Sequence, residues 1–427
     1  MRVIRSVAGI VAVVLMATAC TGGDDGDGVV TFQVTADAEE AAVYRTMVAA
    51  FNDAHPDVDV RLVAVADKDD HLQKLTTSFA GGRPPDVFLV NFREFSQFVV
   101  RGALEAAGPL LEEAGLDTGD YYEPPLEAFT YDGELQCWPQ NVSSLVIYYN
   151  QDIFRKAGLK HPGAWTLEDL RASALRIKEA VDEGDLPSDV DALGIDSSPI
   201  GLAPFIWSNG GDIVDDLTTP KRFTLEEPAA REVLEFFISL VQDDGVVPSE
   251  GDIAAQDLET RFATGKLGMF LSSRRDTPVF REQLELQWDV APLPVVDEPA
   301  SILHSDAYCF SHGAGDLDEA VAFAAFALSE EGQQITALGG RTVPSLVSVS
   351  ESGAFLDPIQ PPEHAQVFLD AIPILRRTPV IPTWTEIEDI AQEYLLRAYY
   401  DRGYDLDEAL SDLDAQARDL FEEGSQP

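Results

Sequence analysis

Polar side chains that can form hydrogen bonds stand where predicted strands end and helices begin. Asp37 follows the first predicted strand, Asp70 opens the helix after the second, and Asn91 ends the third. Ligands of open α/β sheets bind beyond the carboxyl ends of the strands, so these residues are candidates for contacting a polar ligand. Carboxylates accept hydrogen bonds, and amides both accept and donate them, as recognition of hydroxyl groups requires. The alternative for Asp37 and Asp70 is a local role in capping the following helix.

Motifs for nucleophilic, phosphate-binding or metal chemistry are missing from the sequence. There is no Gly-x-Ser-x-Gly elbow, no glycine-rich nucleotide loop between a strand and a helix, and no Cys-x-x-Cys pair. Carboxylates are so frequent that pairs of them carry no information about acid–base catalysis. The six histidines are scattered without a His-x-x-x-His pair, at His55, His71, His161, His304, His312 and His364. The sequence therefore predicts no catalytic residue, no metal site and no cofactor.

The elements that would position these side chains alternate between strand and helix. Apolar residues alternate over 29–34 and 58–64, and 87–90 form the continuous apolar run of a strand buried on both faces. Between the first two strands, Tyr44, Met47, Val48 and Phe51 recur at helical spacing. This β-α-β-α-β order predicts a parallel sheet with right-handed crossovers. A second α/β region follows from residue 142, and the C-terminal segment is predicted to be helical.

The length and charge of the chain limit its organisation and its partners. With 427 residues the chain is too long for one ordinary core, so two lobes are expected. It carries 75 acidic and 29 basic residues, and the field of the resulting net charge of −46 repels phosphate groups. Nucleic acids and anionic lipid headgroups are therefore excluded as partners. The charge itself also has a simpler interpretation, which is high solubility.

The N-terminus has the layout of a signal peptide over residues 1–19. Two arginines precede an apolar run over 7–19 that is too short to span a membrane as a mature helix. Small residues precede Cys20, an arrangement that resembles the lipobox of bacterial lipoproteins, with Ala17 where Leu is usual. Residues 20–28 then form a flexible polar tether. We expect a lipidated Cys20 that anchors the chain to the outer face of the cytoplasmic membrane; ordinary cleavage beside a spectator cysteine is the alternative.

Two further cysteines, Cys137 and Cys309, belong to the mature chain. An exported protein meets an oxidising environment, which favours a disulfide bond between them. Two buried, unreactive thiols are the alternative.

Five segments, in order along the chain, resemble the extracytoplasmic sugar-binding proteins of ATP-binding-cassette importers, the maltodextrin-binding-like family. They are 74–87 with its Pro-Asp-Val entry into a strand, 138–150 ending in Tyr-Tyr-Asn, 209–212 with Asn-Gly-Gly-Asp, 262–269 with Phe-x-x-Gly-Lys, and 306–310 followed by an alanine-rich helix. The resemblance runs from about residue 29 to the C-terminal helix.

The resemblance implies an α/β fold of two lobes, the type II periplasmic-binding-protein-like fold, in which crossing hinge strands join two mixed sheets flanked by helices. Lobe 1 would comprise 29–138 and 309–343, lobe 2 would comprise 142–305 and 347–427, and the hinge would lie near 139–141, 305–308 and 344–346. On this map Cys137 and Cys309 lie on neighbouring crossover strands, so the resemblance implies a disulfide bond between them. Closing so long a loop stabilises the folded protein by about 4–5 kcal/mol in the chain-entropy model.

The resemblance also implies a ligand site in the cleft between the lobes. Asn91 would line the cleft, Trp207 and Trp384 would present rings to the faces of a sugar, and polar groups near the hinge would bind its hydroxyls. These polar residues are Gln140, Asn141, Ser143, Asp306, Tyr308 and Arg341. The alternatives are hydrogen bonds to hinge backbone for Gln140, Asn141 and Ser143, core positions for the tryptophans, and a surface charge for Arg341.

One departure from the family pattern bears on the ligand. Where the family often has a glycine and a stacking tryptophan, this chain has Arg274 and Arg275 after two serines. The arginines could pair with a carboxylate or phosphate on an anionic solute, such as a glycerophosphodiester or a sugar acid. Alternatively, they neutralise neighbouring carboxylates.

The function implied by the resemblance is capture of a small solute, a mono- or oligosaccharide, by hinge closure. The partners would be the permease subunits of an importer, the chain would act as a monomer, and it would catalyse no reaction. A secreted carbohydrate-active enzyme with a sugar cleft is the rival function, and it requires two carboxylates that act in catalysis.

Overall fold

The computed structural model describes residues 28–195 and 197–425, which form strands and helices in alternation. The predicted signal peptide and Cys20 lie outside the described residues. The strands are β1 (Val29–Thr35), β2 (Asp59–Val65), β3 (Val87–Asn91), β4 (Leu104–Glu105), β5 (Thr130–Tyr131), β6 (Glu134–Leu135), β7 (Cys137–Pro139), β8 (Leu145–Asn150), β9 (Asp191–Gly194), β10 (Leu267–Ser273), β11 (Trp288–Ala291), β12 (Ser301–Ile302), β13 (Asp306–Ser311) and β14 (Leu375–Arg376).

The helices surround these strands. They are α1 (Ala38–Ala54), α2 (Lys68–Ala80), α3 (Phe92–Val99), α4 (Ala107–Glu113), α5 (Glu123–Ala128), α6 (Gln151–Lys156), α7 (Leu167–Asp182), α8 (Pro199–Ser208), α9 (Pro228–Gln242), α10 (Glu250–Ala255), α11 (Leu258–Ala263), α12 (Thr277–Glu282), α13 (Leu317–Leu328), α14 (Glu330–Leu338), α15 (Val347–Ser350), α16 (Gln366–Asp370), α17 (Trp384–Tyr400) and α18 (Leu406–Gly424). Within 28–195 and 197–425, no helix is long and apolar enough to cross a membrane.

The first sheet has the order β2-β1-β3-β13-β4, and β7 also pairs with β13. Strand β1 runs parallel to β2 and β3, as the β-α-β-α-β pattern predicts, whereas β13 is antiparallel to its neighbours. Helix α1 buries the predicted face of Tyr44, Met47, Val48 and Phe51 against this sheet. The result is a mixed sheet in which β3 is buried along Val87–Val90.

The second sheet has the order β11-β8-β10-β9. Strand β8 is antiparallel to both β10 and β11, and β10 is parallel to β9. Helices α7, α8, α9, α17 and α18 supply the apolar side chains that cover this sheet. The predicted α/β class with two lobes, each built on a mixed sheet, is therefore confirmed.

The two sheets are joined by chain segments that pair with one another. Residues 140–144 lead from β7 to β8, and 303–305 lead from β12 to β13. Single bridges between Ser143 and His304 and between Asn141 and Pro344 tie these segments together and to a third near residue 344. These bridges hold the polar residues of the junction between the two sheets.

The predicted disulfide bond is present. Cys137 on β7 and Cys309 on β13 face each other in the antiparallel register, with Cα atoms 4.5 Å apart. The predicted lobe boundaries place all of 347–427 in lobe 2, and the start of this range differs in the structure. Helix α15 packs on α14, and its Val349 lies in the core of the first lobe, since its apolar side chain is covered there rather than by the second sheet.

Candidate ligand-binding cleft

A cleft of about 810 Å³ lies between the two sheets. One wall comes from the carboxyl ends of β1 and β3 and from the first turns of α2 and α3, and the other comes from β10 and from the start of α11. The floor is the junction between the sheets, with Asn141, Ser143, His304 and Asp306. Ligands of α/β sheets are expected at this position, beyond the carboxyl ends of the strands.

Asp306 is the centre of a hydrogen-bonded group at the floor. Its carboxylate accepts a bond from Asn91 Nδ2 at 3.2 Å and another from Asn141 Nδ2 at 3.0 Å. The Asp306 backbone N–H donates in return to Asn141 Oδ1 at 3.2 Å. Residues from β3, from the segment after β7 and from β13 are thus held around one carboxylate, and all three predicted residues line the cleft.

Gln140 and Tyr308 lie behind this group rather than in the cleft. Gln140 Nε2 donates to the hydroxyl oxygen of Tyr44 at 3.0 Å and to that of Tyr308 at 3.5 Å, while its Oε1 accepts from Asn141 at 3.1 Å. Both Gln140 and Tyr308 are fully buried, so the expectation that they contact the ligand is corrected. Gln140 fixes the side chain of Asn141 instead, and the hydroxyl groups of Tyr44 and Tyr308 hold Gln140 in place.

Ser143 and His304 offer polar atoms that the rest of the described chain leaves unbonded. Their backbones pair with each other, with N···O distances of 2.7 Å and 3.0 Å. Among the described residues, neither Ser143 Oγ nor His304 Nε2 has a hydrogen-bond partner, and both residues line the cleft. Burial, with help from Arg93 and Arg275, lowers the pKa of His304 to about 3, so its imidazole is neutral. Both atoms are shielded from solvent in this conformation, so they are candidate partners for a ligand that enters the cleft floor.

A charged group borders the cleft at the start of α1. Arg341 binds Asp37 at 3.0 Å and Glu40 at 3.2 Å. Burial raises the pKa of Glu40 to about 7, although the guanidinium of Arg341 opposes the rise. Arg341 and Glu40 line the cleft, whereas Asp37 lies at a small adjoining pocket and caps α1 through the N–H groups of Glu39 and Glu40. For Asp37 the structure thus shows the capping role that the sequence left open.

The other basic side chains of the cleft are each paired with a carboxylate. Lys68 binds Glu94 at 2.5 Å, Arg93 binds Glu388 at 3.0 Å, and Arg275 binds its neighbour Asp276 at 3.1 Å. Carboxylates outnumber basic groups on the cleft walls, which carry Glu40, Asp67, Glu94, Asp257, Glu259, Asp276 and Asp306 against Lys68, Arg93, Arg275 and Arg341. A negative field in a cleft disfavours anionic ligands.

Trp207 and Trp384 do not line the cleft, and their predicted stacking role is corrected. Trp207 belongs to the core of the second lobe, and its ring is covered by the guanidinium of Arg376 at 4.7 Å. Trp384 is fully buried and donates from Nε1 to Glu388, which holds Arg93. Both rings are taken up by packing, the alternative that the sequence left open. Of the described residues, only Tyr44 and Phe270 bring a phenol or phenyl ring to the cleft.

Arg274 and Asp70 also lie away from the cleft. Arg274 is completely buried, with its guanidinium 4.4 Å from the ring of Phe355 and its Nε donating to Gly340 at 2.9 Å. Its predicted ligand contact is corrected, because Arg274 and Arg275 follow β10 in one turn of 3-10 helix, in which Arg274 is buried in the core and Arg275 lines the cleft. Asp70 is exposed in the first turn of α2, which Asp67 caps.

Several cleft residues were missed from the sequence, and most of them share one signal. Arg93 and Glu94 lie two and three residues after Asn91, Asp67 and Lys68 follow β2, and His71 lies one turn later. All are in or beside the first turn of a helix that follows a strand, so the rule that selected Asn91 would also have found them. Asp257 and Glu259, at the start of α11, follow no strand of the predicted pattern.

Comparisons with known proteins agree with this architecture. Residues 35–334 match the family described as bacterial extracellular solute-binding protein. The diacetylchitobiose binding protein DasA of Streptomyces coelicolor is 24% identical over 342 residues, which cover 74% of this chain and 72% of that protein. The chain is similar in fold to Lmo0181 from Listeria monocytogenes in complex with cycloalternan, with a TM-score of 0.82, 24% identity and coverage of 92% and 99% of the two chains.

A further solved structure, UgpB from Mycobacterium tuberculosis in complex with glycerophosphocholine, has a TM-score of 0.80 at 22% identity and covers 93% of this chain and 99% of its own. The family match spans most of the chain, including both walls and the floor of the cleft. The chain belongs to the family of bacterial extracellular solute-binding proteins.

Proposed function

We propose that this protein captures a small neutral solute rich in hydroxyl groups, a sugar, in the cleft between its lobes and delivers it to an ATP-binding-cassette importer. The observation that carries the proposal is the group around Asp306, where side chains from three crossing segments converge on one carboxylate at the cleft floor. Closure of the lobes over such a site would exclude water from both sides of a ligand.

The polar atoms at the floor suit a hydroxylated ligand. Each carboxylate oxygen of Asp306 accepts one bond from an amide and has a further lone pair for a ligand hydroxyl. Ser143 can donate or accept, and the neutral His304 can do either according to its tautomer. Vicinal hydroxyls of a sugar would satisfy these atoms in pairs.

The charge and shape of the walls favour a neutral ligand of limited length. Every basic side chain that lines the cleft is already paired with a carboxylate, which offsets its attraction for an anion. Few aromatic rings line the cleft, so stacking along a long oligosaccharide has little support. The relatives' names include binding proteins for arabinooligosaccharide and for mannitol.

One observation favours a second candidate, an anionic solute such as a glycerophosphodiester or a sugar acid. The side chain of Arg275 is 63% exposed at the cleft wall, and a ligand phosphate or carboxylate could replace Asp276 as its partner. Two relatives carry the name of sn-glycerol-3-phosphate-binding protein.

The remaining parts of the proposal concern location and activity. We infer that Cys20 is lipidated and holds the protein by its tether at the outer membrane face, that the protein acts as a monomer, and that it performs no catalysis. The permease subunits of the importer would receive the closed, loaded form.

The test is a thermal-shift panel of hexoses, disaccharides, short oligosaccharides, alditols, sugar acids and glycerophosphodiesters, followed by calorimetry and a search for products. At a ligand concentration one hundred to one thousand times Kd, a true ligand raises the free energy of unfolding by about 3–4 kcal/mol. We expect one neutral compound to bind one to one without being converted. A shift produced only by anionic compounds supports the second candidate. A released product supports the rival function, a secreted carbohydrate-active enzyme.

A matched pair of serine variants locates the binding site. Ser143→Ala removes an unbonded hydroxyl from the cleft floor, whereas Ser173→Ala removes a hydroxyl from α7 of the second lobe that donates to the Asp169 carbonyl, away from the cleft. Loss of one neutral hydrogen bond corresponds to about threefold to tenfold weaker binding. We expect this loss for Ser143→Ala and unchanged affinity for Ser173→Ala.

A further inference from the structure

Two histidines and an aspartate meet on the second lobe, at a place that does not line the cleft. Asp289 is fully buried on β11, His161 lies in the loop between α6 and α7, and His364 lies before α16. Their spacing in the sequence predicted no metal site, but the fold brings the three side chains together. Each residue can offer one ligand atom, and the three atoms lie within 4.8 Å of one another.

The contacts within this cluster are close. His364 Nδ1 lies 2.5 Å from Asp289 Oδ2, and the His364 backbone N–H donates to Asp289 Oδ1 at 3.0 Å. His161 Nδ1 lies 2.8 Å from the hydroxyl of Tyr149, which donates to the same Asp289 carboxylate at 3.5 Å. The imidazole rings of His161 and His364 stack at a centroid distance of 4.0 Å and an interplanar angle of 12°.

This donor set matches the preferences of one common metal ion. Zn²⁺ binds imidazole nitrogen and carboxylate oxygen at about 2.0–2.2 Å, and sites with three protein ligands keep a fourth position for water or another group. Mg²⁺ and Ca²⁺ prefer oxygen ligands alone. His161 is exposed and His364 partly so, which lets an ion reach both rings from solvent, while the buried Asp289 is fixed by its backbone contacts.

We propose that His161, Asp289 and His364 form a binding site for Zn²⁺. The ion would join the α6–α7 loop, strand β11 and the long connection between α15 and α17. That connection is already attached to the second lobe at several points, among them the bond from Arg281 to the carbonyl of Pro361 at 2.8 Å and the bond from the His364 backbone N–H to Asp289. A bound ion would also attach the connection to the α6–α7 loop through His161.

The experiment is a titration of the purified protein with ZnCl₂, with excess MgCl₂ present to occupy the many surface carboxylates. We expect one tightly bound zinc per chain by elemental analysis. His161→Ala and His364→Ala should each weaken binding at least about tenfold, because loss of a residue that only supports a metal ligand already costs about that much. The control is His312→Ala, because His312 forms a similar pair with Glu105 at 2.5 Å but belongs to no three-ligand group among the described residues.

A second measurement keeps the result independent of the folding of the variants. Co²⁺ replaces Zn²⁺ in such sites, and we expect the wild-type protein to develop the visible absorption of cobalt bound to nitrogen ligands, reversed by added ZnCl₂. The proposal is overturned if no stoichiometric zinc is retained by the wild type, or if both histidine variants bind as tightly as His312→Ala.

Discussion

Asp306 and Asn141 bind each other twice: the carboxylate of Asp306 accepts from the amide of Asn141 at 3.0 Å, and the Asn141 Oδ1 accepts from the Asp306 backbone N–H at 3.2 Å. The two residues stand on neighbouring segments that pass between the sheets. A ligand that binds Asp306 therefore contacts the junction about which the lobes would move, which links occupancy of the cleft to closure.

The disulfide bond between Cys137 and Cys309 is expected to contribute strongly to stability. It closes a loop with a sequence separation of 172, and a crosslink of this kind restricts the unfolded chain. Replacing both cysteines with alanine should lower the free energy of unfolding by about 2–5 kcal/mol, measured as a lower midpoint in urea. An unchanged midpoint would show that the bond does not act on the unfolded chain in this way.

The adjacent arginines Arg274 and Arg275 should have opposite roles. Burial lowers the pKa of Arg274 to about 9, and its side chain fills space beside Phe355, so Arg274→Ala should cost about 2–4 kcal/mol of stability by leaving a cavity. Arg275→Ala should change stability by less than about 0.5 kcal/mol, because that side chain is mostly exposed. Urea denaturation of both variants compares them, and a larger loss for Arg275→Ala would contradict the placement of the two side chains.

His71 should make stability depend on pH in the acidic range. Burial lowers the pKa of His71 to about 4 from an ordinary value of 6.5, while its Nε2 donates to the Leu89 carbonyl. Between pH 6.5 and 4 the unfolded state binds the extra proton, so stability falls as the pH falls through this range.

His71→Gln removes this titration. On acidification from pH 6.5 to 4, the free energy of unfolding of the wild type should fall by about 3 kcal/mol more than that of the variant. Urea unfolding of both proteins at several pH values measures this difference. Parallel pH profiles of the two proteins would show that His71 does not carry this dependence.

Cys20 should decide where the protein is found in the cell. If its thiol is acylated after cleavage, the wild type will be recovered with membranes and will incorporate labelled palmitate, whereas Cys20→Ser will be released in soluble form. Equal partition of both proteins would exclude the lipid anchor and leave ordinary cleavage as the account of the N-terminus.

The β-α-β-α-β succession of the first elements and the position of Asn91 were accessible from the sequence, because they depend on local patterns. Alternating apolar residues and helical spacing are set by neighbours along the chain, and Asn91 ends β3, whereas Asn141 and Asp306 followed from the family resemblance. The cysteine pairing followed from the resemblance and from the compartment.

What the sequence did not reveal depends on contacts between distant segments. Trp207 and Trp384 look like stacking rings until their partners Arg376 and Glu388 are known, and these partners determine whether a ring faces solvent or core. The meeting of His161 with His364 is equally invisible in a linear spacing, because it requires two loops to fold onto the same strand.

The central claim is that both lobes hold the solute over the carboxylate of Asp306, and a crystal structure with the ligand that gives the largest thermal shift tests it most directly. We predict ligand hydroxyls within hydrogen-bonding distance of Asp306 on the first lobe and of at least one group on β10 of the second. A ligand bound to one lobe alone, or outside the cleft, would contradict the account.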